Sequence, residues 1–188
     1  PEQNPERWGR ISDIHHYLGD ARAAREAAER ARKLDPSNLT TLRFSLRAAA
    51  VQGDSAAIED LLAAARSLPP DFNSFRYWGD MALETGQELI AHGHPGFGTA
   101  LVRRSLEWFE ARQPDERTFY VRFRHAIALY QLGDYAASLA MTDSLPGSTE
   151  ILAKGLRARV AAAAGDTSLA LRLDRDLEAL GIHRLGAN

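Results

Sequence analysis

Apolar residues recur three and four positions apart along most of the chain, with charged residues between them. In the segment 21–34, Ala24, Ala28 and Ala31 are interspersed with arginine and glutamate. This spacing places the apolar side chains on one face of an α-helix. β-Branched residues are sparse, whereas alanine, leucine, arginine and glutamate dominate, which favours helix over sheet. The pattern therefore predicts an all-α protein built from amphipathic helices.

A glycine followed by aspartate interrupts the helical pattern at regular intervals. The pairs begin at Gly19, Gly53, Gly133 and Gly165, and the first and last intervals are nearly equal. Gly86 follows Gly53 by almost the same interval and predicts a fifth turn of the same kind. Glycine adopts the left-handed conformation that ends a helix, and the aspartate can cap the helix that follows. About five antiparallel helix hairpins are expected.

Prolines occur where the chain leaves one predicted hairpin and enters the next. Pro36, Pro70, Pro114 and Pro146 each come near the end of a predicted second helix. We therefore expect a single repeat domain over 1–188. Its units are approximately 5–38, 39–71, 72–117, 118–149 and 150–182.

The residues around these turns resemble the tetratricopeptide repeat (TPR) family. The first unit matches the family pattern best, through Trp8, Ile11, Ser12, His15, Gly19, Asp20, Ala24, Ala28, Ala31, Leu34 and Pro36. The last two units keep the period but carry Arg122 and Lys154 where the family has an aromatic residue. The resemblance implies a right-handed α-solenoid that binds a peptide or a helix in its concave groove. A generic helical bundle is the alternative, although a bundle has no reason to repeat its turns at fixed spacing.

In the TPR family the first helices of successive hairpins line the groove. The resemblance assigns this role to Asp13, His16, Arg43, Arg47, Arg76, Asp80, Phe123, Ile127, Tyr130 and Arg159. Arg43 and Arg47 are four positions apart and share one helix face, where together with Arg76 they could bind a partner that carries acidic groups. The competing interpretation is that Arg76 pairs with Asp80 and that the other two arginines are simply solvated.

Apolar side chains supply two further candidate contacts. Phe123, Ile127 and Tyr130 would form an apolar end to the groove, with core packing as their competing use. The segment 87–98 exceeds the repeat period, and we expect it to form a short helical turn and a loop with Phe97 exposed at its tip. The insertion would then offer a contact outside the groove.

The same insertion raises the question of metal binding. His92 lies one helical turn after Glu88, and His94 follows closely. A protein metal site needs three or four converging ligands, and His-Gly-His-Pro is an ordinary turn sequence, so we expect no metal. The sequence contains no nucleophile elbow, zinc-protease helix motif or phosphate-binding loop, and its six histidines are scattered. We therefore expect no cofactor and no enzymatic activity.

Composition and charge limit the classes of partner. The formal charge of −2 and the isoelectric point near 6.3 argue against a nucleic-acid surface, which normally carries a basic excess. No apolar run is long enough to span a membrane. The absence of cysteine excludes disulfides and leaves the compartment open, with the cytoplasm favoured. The start Pro1-Glu2 lacks an initiator methionine, so we expect a piece of a longer protein.

Three functional interpretations follow. The first is a scaffold for another protein or peptide, with a homo-oligomer possible through unexplained apolar residues near the C-terminus. The second is a regulatory or sensory segment of a multidomain kinase or transcription regulator, an analogy with how such repeats are deployed. The third is a metal-binding or enzymatic role centred on 87–98.

Overall fold

The computed structural model describes residues 3–73, 75–145 and 150–179. Within these ranges the chain is helical, apart from an isolated antiparallel β-bridge between Asp71 and Arg76. The helices are α1 (Pro5–Tyr17), α2 (Ala21–Leu34), α3 (Leu39–Gln52), α4 (Ser55–Arg66), α5 (Trp78–Ala91), α6 (Pro95–Glu110), α7 (Phe119–Gln131), α8 (Tyr135–Asp143), α9 (Glu150–Ala163) and α10 (Thr167–Ala179). A short 3₁₀ helix, Pro114–Glu116, precedes α7. The predicted all-α fold is confirmed.

Successive helices pack into hairpins closed by short glycine turns. Contacts join α1 with α2, α3 with α4, α7 with α8, and α9 with α10. Gly19, Gly53, Gly133 and Gly165 all have positive φ angles, between 67° and 84°. Other residues rarely adopt this conformation because their Cβ atom clashes with the backbone. The four Gly-Asp turns predicted from the sequence are therefore confirmed.

The aspartate after each of these four glycines caps the helix that follows. In each case the carboxylate Oδ1 accepts a hydrogen bond from the backbone N–H three positions later, at 3.0–3.1 Å. The capping residues are Asp20, Asp54, Asp134 and Asp166. Because a helix begins with unpaired backbone donors, this bond stabilises its first turn. At Asp166 the Leu169 N–H, with a smaller contribution from the Ser168 hydroxyl, lowers the carboxyl pKa below its ordinary value.

The third hairpin differs from the prediction. Gly86 lies inside α5, and the left-handed turn glycine is Gly93, with a φ angle of 88°. Residues 87–91 continue α5 and residues 95–98 begin α6, so the predicted insertion at 87–98 is wrong. Pro95 begins α6, a position that proline favours because the first helical N–H has no intrahelical partner.

The extra length lies instead between hairpins. The intervals on either side of Gly93, back to Gly53 and on to Gly133, are both longer than the first and last intervals between turn glycines. The connection 67–77, between α4 and α5, contains the Asp71–Arg76 bridge, and the connection 111–118, between α6 and α7, contains the 3₁₀ helix. Both are longer than the connection 35–38 between α2 and α3. Pro146, predicted to close the fourth unit, lies outside the described residues.

Buried serine hydroxyls connect the two helices of three hairpins. Each donates a 2.8 Å hydrogen bond to a backbone carbonyl of the opposite helix. The pairs are Ser12 with Ala24, Ser105 with Gly79, and Ser138 with Ala126. A small hydroxyl allows close approach of the helices and satisfies its own hydrogen-bonding capacity in the core.

The chain divides into two compact units, Pro1–Trp108 and Phe109–Asn188, where the sequence had predicted one domain. The first unit contains an apolar cluster built on α3, α4, α5 and α6 around side chains such as Leu42, Ile58, Met81 and Leu101. The second unit has its own buried side chains, among them Val121 and Val160. No helix in the described ranges has the length and apolarity that a bilayer span requires.

Candidate partner-binding surface

The first helices of the three hairpins of the first unit are linked side by side through charged residues. Contacts join α1 with α3 and α3 with α5. Arg43 and Arg47 lie one turn apart on α3, so both side chains project from the same face of that helix. Arg43 and Arg47 are two of the six groove residues predicted in the first compact unit, and Asp13 and His16 lie on the neighbouring α1.

Arg43 forms a two-pronged ion pair with Glu84 of α5. Its Nε atom donates to Glu84 Oε2 at 2.5 Å, and its Nη2 atom donates to Oε1 at 2.6 Å. The Glu84 side chain is 18% exposed. Planar, two-pronged pairing of this kind fixes both side chains in one geometry.

Arg47 lies between carboxylates from two other helices. Its Nη1 atom donates to Asp13 Oδ1 of α1, and its Nε atom lies 3.4 Å from Glu88 Oε1 of α5. The Arg47 side chain is only 17% exposed. One guanidinium group therefore connects the first helices of all three hairpins.

Glu88 also attracts two histidines. The Nε2 atoms of His16 and His92 each lie 3.5 Å from Glu88 Oε2, and the two imidazole rings are 6.2 Å apart. The Arg43–Glu84 pair and the group around Arg47 line one small space, and we call them together the inner ion-pair network: Asp13, His16, Arg43, Arg47, Glu84, Glu88 and His92. A space of about 10 Å³ remains among Arg43, Arg47, Glu84, Glu88 and their apolar neighbours, room for at most one water molecule.

The predicted arginine fork for an acidic partner is therefore not formed. Arg43 and Arg47 already pair with the chain's own carboxylates. Arg76 is not on a helix: it lies in the connection before α5, where its carbonyl accepts a hydrogen bond from the Asp71 N–H at 2.9 Å. Asp80 is fully buried in the first turn of α5, so its predicted place on an open groove is wrong. Neither Arg76 nor Asp80 belongs to the inner ion-pair network.

Phe97 also differs from its prediction as an exposed loop tip. It lies in the first turn of α6 and packs, partly buried, against the core cluster of the first unit. The physical reason is that the loop around it does not exist, because α5 and α6 together take up the segment 87–98 apart from the short turn at 92–94.

The structure also separates the histidines that the sequence places together. His92 faces Glu88, whereas the His94 ring packs beside the Gly53 turn, where a Cβ on Gly53 would lie 2.4 Å from it. Among the residues described, no group of three or more histidine, aspartate or glutamate side chains has a geometry that could hold a metal ion.

The aromatic stripe predicted at Phe123, Ile127 and Tyr130 lies on α7, in the compact unit 109–188, and is divided between core and surface. Phe123 is 9% exposed and stacks on Phe119 at 5.6 Å, so it is a core residue and not an anchor for a partner. Tyr130 and Ile127 are half-buried. The Arg159 guanidinium lies 5.6 Å from the centre of the Tyr130 ring, a cation–π contact between α9 and α7.

His125 of α7 occupies a partly buried, apolar position. Its ring stacks on Phe109 at 5.8 Å, with an interplanar angle of 12°. Burial, with a smaller contribution from the charge of Arg117, lowers the pKa of His125 to about 4. The neutral imidazole therefore serves as a packing residue at neutral pH.

A cleft between α2 and α4 was not predicted from the sequence. It has a volume of about 370 Å³, and small side chains of α3, among them Ser45, Ala48 and Ala49, form its floor. The pattern of small residues on α3 is visible in the sequence. That α2 and α4 leave this face of α3 uncovered depends on how the hairpins pack, which the sequence pattern does not show.

Comparisons with known proteins identify the fold. No family model matches the chain, and no curated protein matches it. A crystal structure of a kinesin light chain protein from Podosopora anserina, with nearly identical TPR-like repeats, has a TM-score of 0.58 at 15% identity and covers 93% of this chain and 92% of its own. YrrB, a TPR protein with an unusual peptide-binding site, has a TM-score of 0.43 at 16% identity and covers 96% and 89%. The likeness to the first of these confirms the all-α repeat fold of TPR type.

Proposed function

We propose that this chain is a non-enzymatic scaffold that binds another polypeptide through the inner ion-pair network of its first unit. The observation that supports the proposal is the network itself, which connects α1, α3 and α5 through Arg43 and Arg47. Side chains held in place by one another lose little conformational freedom when a partner binds. A surface of this kind is preorganised for hydrogen bonding with an extended peptide or a helix.

The charges of the network favour a different partner from the acidic one expected at first. Asp13, Glu84 and Glu88 carry three negative charges against the two positive charges of Arg43 and Arg47 when the histidines are neutral. An acidic peptide would have to displace a carboxylate from a partly buried ion pair, which is costly. We infer that the partner presents lysine or arginine side chains and backbone donors to the accessible edges of these carboxylates.

A peptide selection tests this proposal. The purified chain is immobilised, binding peptides are selected from a random peptide display library, and the affinity of each selected peptide is measured by calorimetry. Glu84→Gln keeps the size of the side chain but removes its charge. We expect peptides to bind the Glu84→Gln variant about tenfold more weakly, equivalent to about 1.4 kcal/mol.

Glu29→Gln is the matched control. Glu29 lies on the exposed side of α2 and contacts Arg25 one turn away, at 3.8 Å. This control should leave peptide affinity unchanged. Selected peptides that are indifferent to Glu84→Gln, or that lose affinity equally with both substitutions, would contradict a site on the inner ion-pair network. Selection of no binder would contradict the scaffold function.

A further inference from the structure

Large apolar side chains are exposed mainly on two sets of helices. At the end of α1 in the first unit, Ile14, Tyr17 and the C-cap residue Leu18 are 57%, 80% and 74% exposed. On α9 and α10 of the second unit, Ile151, Leu152 and Leu171 are about half exposed. Exposed apolar side chains that cluster together mark an interaction surface, whereas isolated ones do not.

The repeat register shows what the exposed face of α1 is equivalent to. In the first unit α3 packs on the preceding hairpin, with Phe44 and Ala48 in a buried cluster with Ala28 and with Gln52 hydrogen-bonded to Arg25. When the turn glycines Gly19 and Gly53 are aligned, the residues of α1 and its C-cap that correspond to Phe44, Ala48 and Gln52 are Arg10, Ile14 and Leu18. The exposed stripe of α1 is therefore equivalent to the face with which α3 packs on α2, the second helix of the preceding hairpin.

The same register identifies the complementary face of α10. On α2, the stripe that faces α3 contains Arg25, Ala28 and Arg32. Gly165 is aligned with Gly19, since both turns are capped in the same way by the next aspartate. The corresponding stripe on α10 is Leu171, Asp174 and Glu178. It combines one exposed apolar side chain with two acidic ones.

The two faces match when they are paired as α2 and α3 are paired within the chain. The contact between Arg25 and Gln52 becomes an apolar contact between Leu171 and Leu18. The contact of Ala28 with Phe44 becomes an ion pair between Asp174 and Arg10. In the same pairing, Glu178 lies near the N-terminal half of α1, which carries the basic residues Arg7 and Arg10.

The first helices show the same complementarity. Asp13 of α1 pairs with Arg47 of α3. When α1 packs on α9 in the same way, Arg159 of α9 takes the place of Asp13, and Asp13 of α1 takes the place of Arg47. The ion pair therefore recurs with its charges exchanged.

Glycines at corresponding positions add a steric match. A Cβ on Gly9 would lie 1.9 Å from the Phe44 ring, so Gly9 leaves room for the neighbouring first helix. Its equivalent on α9, Gly155, has open space around its Cβ position, where Arg10 would pack.

We propose that α1 of one copy of this chain packs on α9 and α10 of a second copy, so that copies associate head to tail. Apart from Asp13, which also belongs to the inner ion-pair network, this association uses other side chains than the proposed function, and sedimentation tests it separately from the peptide selection. Because the two contacting faces differ, each copy in a pair retains one unused face, and further copies can add.

Two variants that each block one face provide the test. Leu18→Asp blocks the α1 face and leaves the α10 face intact, whereas Leu171→Asp does the reverse. Both side chains are more than half exposed, so both variants should fold, which circular dichroism and thermal melting check. The masses of the wild-type chain, of each variant and of their equimolar mixture are measured by sedimentation equilibrium over a range of concentrations.

We expect the wild-type mass to rise with concentration beyond that of a dimer. Each variant alone should remain monomeric, and the mixture should stop at a dimer, because it has one compatible pair of faces. Leu34→Asp is the control: Leu34 is 42% exposed on α2 and lies outside both faces, so this variant should associate as the wild type does.

An ion-pair exchange tests the register. Arg10→Glu in the Leu171→Asp variant should weaken the mixed dimer about tenfold, and Asp174→Arg in the Leu18→Asp variant should restore it. A monomeric wild-type chain, self-association of either variant alone, or a mixture that stays monomeric would each overturn the proposal.

Discussion

Gly86 of α5 lies directly against Gly98 of α6. A Cβ on Gly86 would lie 2.7 Å from the Gly98 carbonyl oxygen, and a Cβ on Gly98 would lie 2.6 Å from the Gly86 carbonyl oxygen. Both obstacles are backbone atoms, which cannot rotate away. The two helices therefore approach as closely as they do because neither residue has a side chain.

Gly86→Ala should accordingly destabilise the first unit. Forcing a methyl group into this contact separates α5 from α6 and costs about 2 kcal/mol, partly offset by the better helix propensity of alanine. Urea unfolding followed by circular dichroism measures the change. Gly96→Ala is the matched control, because a Cβ at Gly96 meets nothing within 4 Å. Equal stability of the two variants would contradict the close contact.

The ion pair between Arg43 and Glu84 should contribute measurably to stability. Both of its hydrogen bonds are short, and the Glu84 side chain is largely buried, so solvent screens it less than a surface pair. A double-mutant cycle with Arg43→Met and Glu84→Gln should give a coupling energy of about 1 kcal/mol. The exposed pair Arg25–Glu29 serves as the reference and should give about 0.3 kcal/mol. A coupling energy for Arg43–Glu84 as small as the reference value would show that the pair is not held together in solution.

His125 should make the second unit sensitive to acid. Its pKa is about 4 in the folded chain and about 6.5 when unfolded. Above pH 6.5 both states are neutral and the imidazole packing contributes fully. As the pH falls from 6.5 to 4 the unfolded state takes up the proton first, so stability is progressively lost.

The change attributable to His125 should be about 1–2 kcal/mol between pH 7 and pH 4, after allowance for its partial exposure to solvent. Thermal melting of the wild type and of His125→Gln at a series of pH values measures it. The stability difference between them should shrink on acidification, because glutamine does not titrate. A constant difference between wild type and His125→Gln would contradict the lowered pKa.

Local chemistry explains which turns could be predicted from the sequence. At Gly19, Gly53, Gly133 and Gly165 a glycine precedes an aspartate, so one residue ends a helix and the next caps the following helix. Gly86 precedes glutamine and satisfies only half of this pattern. Its actual role, close approach to Gly98 of α6, depends on a residue beyond the turn and leaves no local signature. The turn at Gly93 does have a signal in the sequence, because Pro95, two residues later, occupies the first position of a helix.

The candidate surface was predictable only in part. Helical spacing correctly placed Arg43 and Arg47 on one face of a first helix. It could not show that Glu84 and Glu88, one turn apart on α5, face those arginines, because this depends on the relative rotation of two helices that pack together. The burial of Asp80 likewise depends on where α5 begins, which the length of the preceding connection determines.

The glycine turns also have a consequence for how fast the chain can fold. Each turn brings together two helices that are adjacent in sequence, and a buried hydroxyl such as that of Ser12 bonds to the carbonyl of Ala24 just across the turn. The entropy lost on closing so short a loop is small, and contacts close in sequence are associated with rapid folding. Any hairpin can therefore serve as the nucleus on which its neighbours assemble. The order in which the hairpins fold then depends on which hairpin is most stable alone.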